Sequence, residues 1–249
     1  MLALRRAWRS ALPWVAFVVA VWLFMGGQER FYARWFLPVY PVLAVFAAYA
    51  LVAIATAFPA RRALVGVALA AAVFAQPLVT VVHSDVILNR ADTRLLAKRW
   101  LLSHVGRGTK LAFELVGPGP YFNDGDRRDG ASLFDLYPQP RGADIERYAT
   151  TLSPATVDAY VDGGYCFVVT GSIISQRALK DPSAAEGAIA YYRALASRAT
   201  RVATFSPVRR GATVPGFNFD LSYNWYPLTY VRPGPRIDVY HLHSGACAT

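Results

Sequence analysis

The residues best placed to do chemistry lie in one short polar break between two apolar runs: Glu29, Arg30 and Arg34, within Gln28-Glu29-Arg30-Phe31-Tyr32-Ala33-Arg34-Trp35. An arginine guanidinium is a planar fork of donors matched to phosphate oxygens. Two of them at a membrane surface could hold a phosphate and stabilise it as a leaving group. The alternative is that Arg30 and Arg34 snorkel to lipid head groups while Glu29 pairs with one of them. The other reactive side chains form no comparable set. His83, His104, His241 and His243 are scattered, although His241 and His243 share one face of a strand. Asn123, Asp124, Asp126 and Asp129 loosely resemble a calcium loop, but the spacing and terminal glutamate are absent and Arg127 and Arg128 interrupt them. No phosphate-binding glycine loop or nucleophile elbow is present. The sequence therefore identifies no catalytic residue and implies no metal and no cofactor.

The elements around the polar break are apolar. From Leu12 to Val82 the chain is almost entirely Ala, Val, Leu, Phe, Trp and Pro. Three spans are expected, about Trp8 to Phe24, Phe36 to Phe58 and Ala63 to Val82. Each is close to the ~20 residues that cross a ~30 Å hydrocarbon layer as a helix. Pro38 and Pro41 fall in the first turns of the second span, where a missing N–H costs least. Pro77 should kink or end the third. Gly66, Ala68 and Ala70 to Ala72 suit close packing in a larger helix bundle. Arg5, Arg6 and Arg9 precede the first span, and Arg61 and Arg62 separate the second from the third. The positive-inside rule makes that side cytoplasmic, leaving Glu29 to Arg34 and everything after Val82 outside. No small-x-small cleavage site follows the first run, so it is read as a span and not as a signal peptide.

The net charge is +10 with a pI near 9.9. Several arginines flank the spans, which favours topology or lipid phosphate over nucleic acid, and no zinc-finger or RNP-type motif is present. The chain divides into a transmembrane helical region, 1–82, and an extracytoplasmic domain, 83–249. The latter mixes helices and strands. Helices are expected at about Ala91 to His104, Ser153 to Asp162 (with Ser153 as N-cap and Pro154 first in the helix) and Ala184 to Ala199. Strands are expected at Lys110 to Leu115, Tyr165 to Thr170, Arg201 to Phe205 and Arg236 to His243. That alternation implies a small α/β domain with a partly parallel sheet. Of the two cysteines, Cys166 reads as a buried strand residue and Cys247 as part of a frayed tail, with a disulfide between them as the alternative. The aromatic-rich stretch Pro207 to Pro235 could cover a membrane-proximal site or pack on its own domain.

Three segments carry a resemblance. Glu29-Arg30-Phe31 … Leu37-Pro38-Val39-Tyr40-Pro41 resembles the E-R-F/Y … L-P-x-x-P segment near the last spans of C-type-fold membrane glycosyltransferases. That class includes the protein O-mannosyltransferases and the lipid A aminoarabinose transferases. Asp92-Thr93-Arg94-Leu95-Leu96-Ala97-Lys98-Arg99-Trp100-Leu101 is similar to the segment opening their C-terminal outer domain. Tyr226-Pro227 … Arg232-Pro233-Gly234-Pro235-Arg236-Ile237-Asp238-Val239-Tyr240 resembles their ending. The resemblance implies the C-terminal portion of an enzyme that takes sugar from a polyprenyl-phosphate carrier, with Glu29, Arg30 and Arg34 as substrate-binding residues. It also implies membrane lipid and an N-terminal transmembrane half as partners. Such enzymes carry about ten or more spans, with a catalytic acidic residue in the first outer loop. That portion has no counterpart here, so the isolated chain is expected to be inactive. The alternative is a non-enzymatic, membrane-anchored protein whose outer domain binds a partner or glycan.

Overall fold

The computed structural model describes residues 2–27, 33–114, 135–136, 152–180, 182–183, 185–216, 226–244 and 247. The chain divides into two compact units, Met1–His83 and Ser84–Thr249.

The first unit is helical. Helix α1 spans Leu2–Gly26, α2 spans Tyr40–Thr56, and α3 begins at Arg62 and runs to Leu88. Single 3-10 turns at Ala33–Phe36 and Pro59–Arg61 precede α2 and α3. Two helical stretches, Arg9–Gly26 and Pro59–His104, are long and apolar enough to cross a membrane. Large side chains on both stand in the open: Leu23 is 69% exposed and Val67 69%. An apolar surface of this extent needs lipid or partner helices to cover it. Helix α2 is shorter, with 17 residues. At about 1.5 Å per residue it falls a few ångströms short of a full crossing, so among the described residues two helices reach that length. Pro77 lies inside α3 and does not end it, because the helix continues through Leu88. A proline removes one i to i−4 bond, and the turns on either side carry the helix on.

The second unit is a mixed sheet sandwiched between helices. Helix α4 (Thr93–His104) leads into β1 (Lys110–Phe113), and β2 is the short pair Asp135–Leu136. Then follow α5 (Pro154–Asp162), β3 (Phe167–Gly171), α6 (Ser172–Lys180), α7 (Glu186–Arg198), β4 (Ala199–Phe205) and β5 (Ile237–Leu242). The strand order is β2-β1-β3-β5-β4. Strands β1, β2 and β3 are parallel, while β5 runs antiparallel to both β3 and β4.

Strand alternation sends successive side chains to opposite faces, and both faces here are covered. Leu111, Phe113, Val169 and Val239 pack with Ala97, Leu101 and Val105 of α4. Ala112, Val168 and Leu242 pack with Val157 and Tyr160 of α5 and Tyr191 and Leu195 of α7. Helix α5 starts where the sequence signals it, with Pro154 in the first turn and the Ser153 N–H donating to Thr156 Oγ1 at 3.3 Å. It stops at Gly163, and Gly164 takes φ +70°.

The cysteines correct the expectation of an unbonded pair. Cys166 and Cys247 form a disulfide with their Cα atoms 5.2 Å apart. Cys247 is 4% exposed, not frayed. The cause is strand pairing. Phe167, at the start of β3, lies opposite His241 near the end of β5, so the chain leaving β5 passes beside Cys166.

The two ends of this unit are tied at one point. Thr93 donates its N–H to the Pro233 carbonyl at 3.0 Å and its hydroxyl to the Pro235 carbonyl at 2.6 Å. Asp92 caps α4 by accepting from the Arg94 N–H at 2.8 Å, and Arg94 returns a fork to the same carboxylate at 2.9 and 2.7 Å. Gly234 closes over this pair with φ +99°. A Cβ there would overlap Thr93 Oγ1 and come within 2.6 Å of Asp92 Oδ1. Gly234→Ala should therefore destabilise the protein by roughly 2–4 kcal/mol, combining strain with overlap. Gly211 is the control: it also has positive φ (+84°) but has nothing within 4 Å of the added carbon. Gly211→Ala should cost about 1 kcal/mol by denaturant titration. Equal losses in the two variants would show that the overlap is relieved at no cost.

Candidate functional site

Of the expected substrate-binding residues, Glu29 and Arg30 lie outside the described residues. Arg34 sits in the 3-10 turn Ala33–Phe36 before α2, and its side chain also lies outside them. The acidic group Asn123, Asp124, Asp126 and Asp129 and the aromatics Phe217, Phe219, Tyr223 and Trp225 are likewise outside.

His104, His241 and His243 each have a structural neighbour. His104 stacks on Trp100 at 4.6 Å between ring centroids, and His241 packs on Phe167 at 4.8 Å. His243 Nε2 is 2.6 Å from Thr200 Oγ1. Among the described residues no group of three or more His, Cys, Asp or Glu could hold a metal ion.

The structure instead points to Glu114, which sequence reading passed over as the end of a strand. Strands β1 and β3 are parallel neighbours whose onward connections diverge. The chain leaving β1 reaches β2 on one side, and the chain leaving β3 reaches β4 beyond β5 on the other. Such a divergence at the carboxyl ends of parallel strands is where open α/β sheets place their sites. Glu114 occupies that point. Its N–H donates to the Val169 carbonyl at 3.0 Å, continuing the ladder, and its Oε2 accepts from the Gly171 N–H at 2.9 Å. The carboxyl thus bridges the ends of both strands.

Burial pushes the Glu114 carboxyl up to about 8. The Gly171 N–H and the nearby Tyr192 and Tyr191 hydroxyls pull it down, and Asp238 pushes it up further. Among the described residues Oε1 has no hydrogen-bond partner within normal geometry. Around it the rings of Tyr160, Tyr191 and Tyr192 make edge contacts, at 6.5 Å for the first pair and 5.0 Å for the second. Burial also raises the Tyr191 hydroxyl well above its ordinary range, with Glu114 adding to the rise. At neutral pH the carboxyl is therefore a neutral acid, able to donate and accept at once. At 5% exposure it is enclosed, and it acts as a protonated brace between β1 and β3. The only sequence signal for it was a carboxylate following an apolar strand, which says nothing about what lies beside it.

The linkage sign follows from a raised carboxyl. Below pH 4.5 the group is protonated in both folded and unfolded chains and costs nothing. Between about 4.5 and about 8 the unfolded chain ionises while the folded one does not, so stability falls as pH rises. The slope approaches about 1.4 kcal/mol per pH unit inside that window. Glu114→Gln keeps an acceptor for the Gly171 N–H and removes the proton. Unfolding midpoints measured from pH 5 to pH 8 should fall in the wild type and stay flatter in E114Q. Parallel curves would remove Glu114 as the source.

Compared with protein-family models, with curated proteins and with solved structures, the chain matches none.

Proposed function

We propose that this chain is the C-terminal part of an integral-membrane glycosyltransferase that takes its sugar from a polyprenyl-phosphate carrier. The reading rests on the three ordered segments that resemble that class. The observation that carries it is the interlock of two of them: Asp92-Thr93 and Pro233-Gly234-Pro235 are about 140 residues apart and bond directly. Two short motifs that meet through one steric constraint argue for a shared origin more strongly than either motif by itself.

In this reading α1, α2 and α3 each cross the bilayer, with the 3-10 turn and Pro38 before α2 completing its length at the interface. Arg5, Arg6, Arg9, Arg61 and Arg62 face the cytoplasm, and residues after Val82 lie outside. The Cys166–Cys247 disulfide supports that side, since such bonds persist in oxidising compartments. Glu29, Arg30 and Arg34 then lie at the outer surface, where the two guanidinium groups hold the carrier phosphate as sugar departs. The acidic group that activates the acceptor comes, by the resemblance, from an N-terminal membrane portion.

Two experiments test this. Arg107→Cys should react with an impermeant maleimide in intact cells and Arg62→Cys should not, the native cysteines being bonded to each other. The reverse pattern overturns the orientation. In a sugar-transfer assay on the full-length enzyme, Arg30→Ala and Arg34→Ala should each lose about tenfold to a hundredfold, corresponding to roughly 1.5–3 kcal/mol per charge-assisted contact. Lysine should rescue only in part, because it keeps the charge without the fork. Activity within twofold of wild type in both alanine variants removes these residues from the site.

A further inference from the structure

The helical unit contains a second feature that the proposed reaction does not use. Between α2 and α3 runs a trough of about 940 Å³, lined by Leu51, Ala55, Gly66 and Ala70, with Arg61 and Arg62 at its mouth. We infer that this trough is a binding site for an anionic phospholipid, with its phosphate on Arg61 and Arg62 and an acyl chain along the apolar wall. The inference rests on the membrane reading above.

Two independent demands select that occupant. The first is charge. Arg61 and Arg62 are exposed neighbours at the start of α3. The sequence from Tyr40 to Val82 contains no Asp or Glu, and the acid of α3, Asp85, lies roughly six helical turns beyond Arg62, so no carboxylate of α2, α3 or the turn between them reaches the pair. Adjacent guanidinium groups at a membrane interface suit a phosphodiester, which accepts from both forks. The second demand is shape. Small residues line the facing helices and let them approach closely at the trough floor, where a Cβ added at Gly66 would meet Ala55 Cβ at 3.9 Å, leaving the wall free of bulky side chains at these positions. An apolar helix would fill the trough and leave the arginines without a counter-charge. Inorganic phosphate would satisfy the arginines and leave the trough empty. A phospholipid meets both demands.

The test uses the full chain, purified and delipidated, with native mass spectrometry as the readout. Phosphatidylglycerol should bind one-to-one at roughly thirtyfold lower concentration than phosphatidylcholine, as expected for two arginines attracting an anionic head group. Arg61→Gln combined with Arg62→Gln should erase that preference. Gly66→Leu, which fills the trough without touching charge, should weaken binding of both lipids. A preference under twofold, or one that survives the double arginine change, overturns the site. So does a Gly66→Leu variant that binds phosphatidylglycerol normally, since charge alone would then be responsible. Inorganic phosphate competing at equal concentration, or a dimer that lipid does not displace, also overturns it, the latter in favour of a second copy. Membrane preparations washed in alkaline carbonate separate the two readings. Release of the chain overturns the membrane assignment and the site with it. Retained chain that binds both lipids equally overturns the site alone.

Discussion

The second unit depends on a buried hydroxyl. Thr93 is fully enclosed, and an enclosed hydroxyl or amide without a partner costs roughly 1–3 kcal/mol. Its two partners are the carbonyls of Pro233 and Pro235, presented by a turn that only glycine fits, at Gly234. The contact joins the first residue of α4 to the residues entering β5. Helix α4 supplies the cover for one sheet face, and β5 is the strand through which β3 and β4 are connected. The Arg90 guanidinium adds a bond from just before α4 to the Val231 carbonyl at 2.8 Å. If the turn opened, one wall of the core and the middle of the sheet would lose their mutual register together.

The disulfide works at the opposite end of the same strand. Gly234 fixes the entry to β5, and Cys247 fixes the exit against the start of β3. A cross-link closing a loop of 81 residues restricts the unfolded chain by an amount worth about 4 kcal/mol in the chain-entropy account. With both ends of β5 held, its antiparallel pairing with β3 can sit beside the parallel pairing of β1 and β3. The protonated Glu114 braces the far side of β3. An apolar residue there would pack, but the Gly171 N–H would then lose its acceptor.

The helical unit, in the proposed reading, meets lipid instead of water. Most of its apolar side chains among the described residues face outward, with Val39 and Ala55 the buried exceptions, and α1 and α3 have the length to meet hydrocarbon. Its basic residues cluster toward the helix ends and the breaks between helices, at Arg5, Arg6 and Arg9 in the first part of α1 and at Arg61 and Arg62 where α3 begins. In the proposed reading the basic residues there serve three needs at once: sidedness, contact with head groups and contact with a carrier phosphate. The resemblance to glycosyltransferases concerns the break at Glu29 to Arg34, and the lipid site concerns the break at Arg61 and Arg62. The proposed topology puts the two arginine clusters on opposite surfaces of the bilayer.

What the sequence determined was whatever depends on near neighbours. Ser153-Pro154 started a helix, Gly163-Gly164 stopped it, and the apolar run from Tyr165 marked the buried strand, because caps, turns and periodicity act within a few residues. Helix α6 was missed because Ser172 follows β3 without any break, and its first turn is held by Arg236, whose N–H donates to Ser172 Oγ at 3.0 Å from 64 residues away. Strand order, the pairing of Cys166 with Cys247, the fit of Gly234 over Thr93 and the protonation of Glu114 were decided only by the tertiary structure. Each depends on which distant segment arrives alongside, and a carboxylate, a cysteine or a glycine has no local preference that names its partner. Burial then sets the energy of the contact, and burial belongs to the folded chain as a whole.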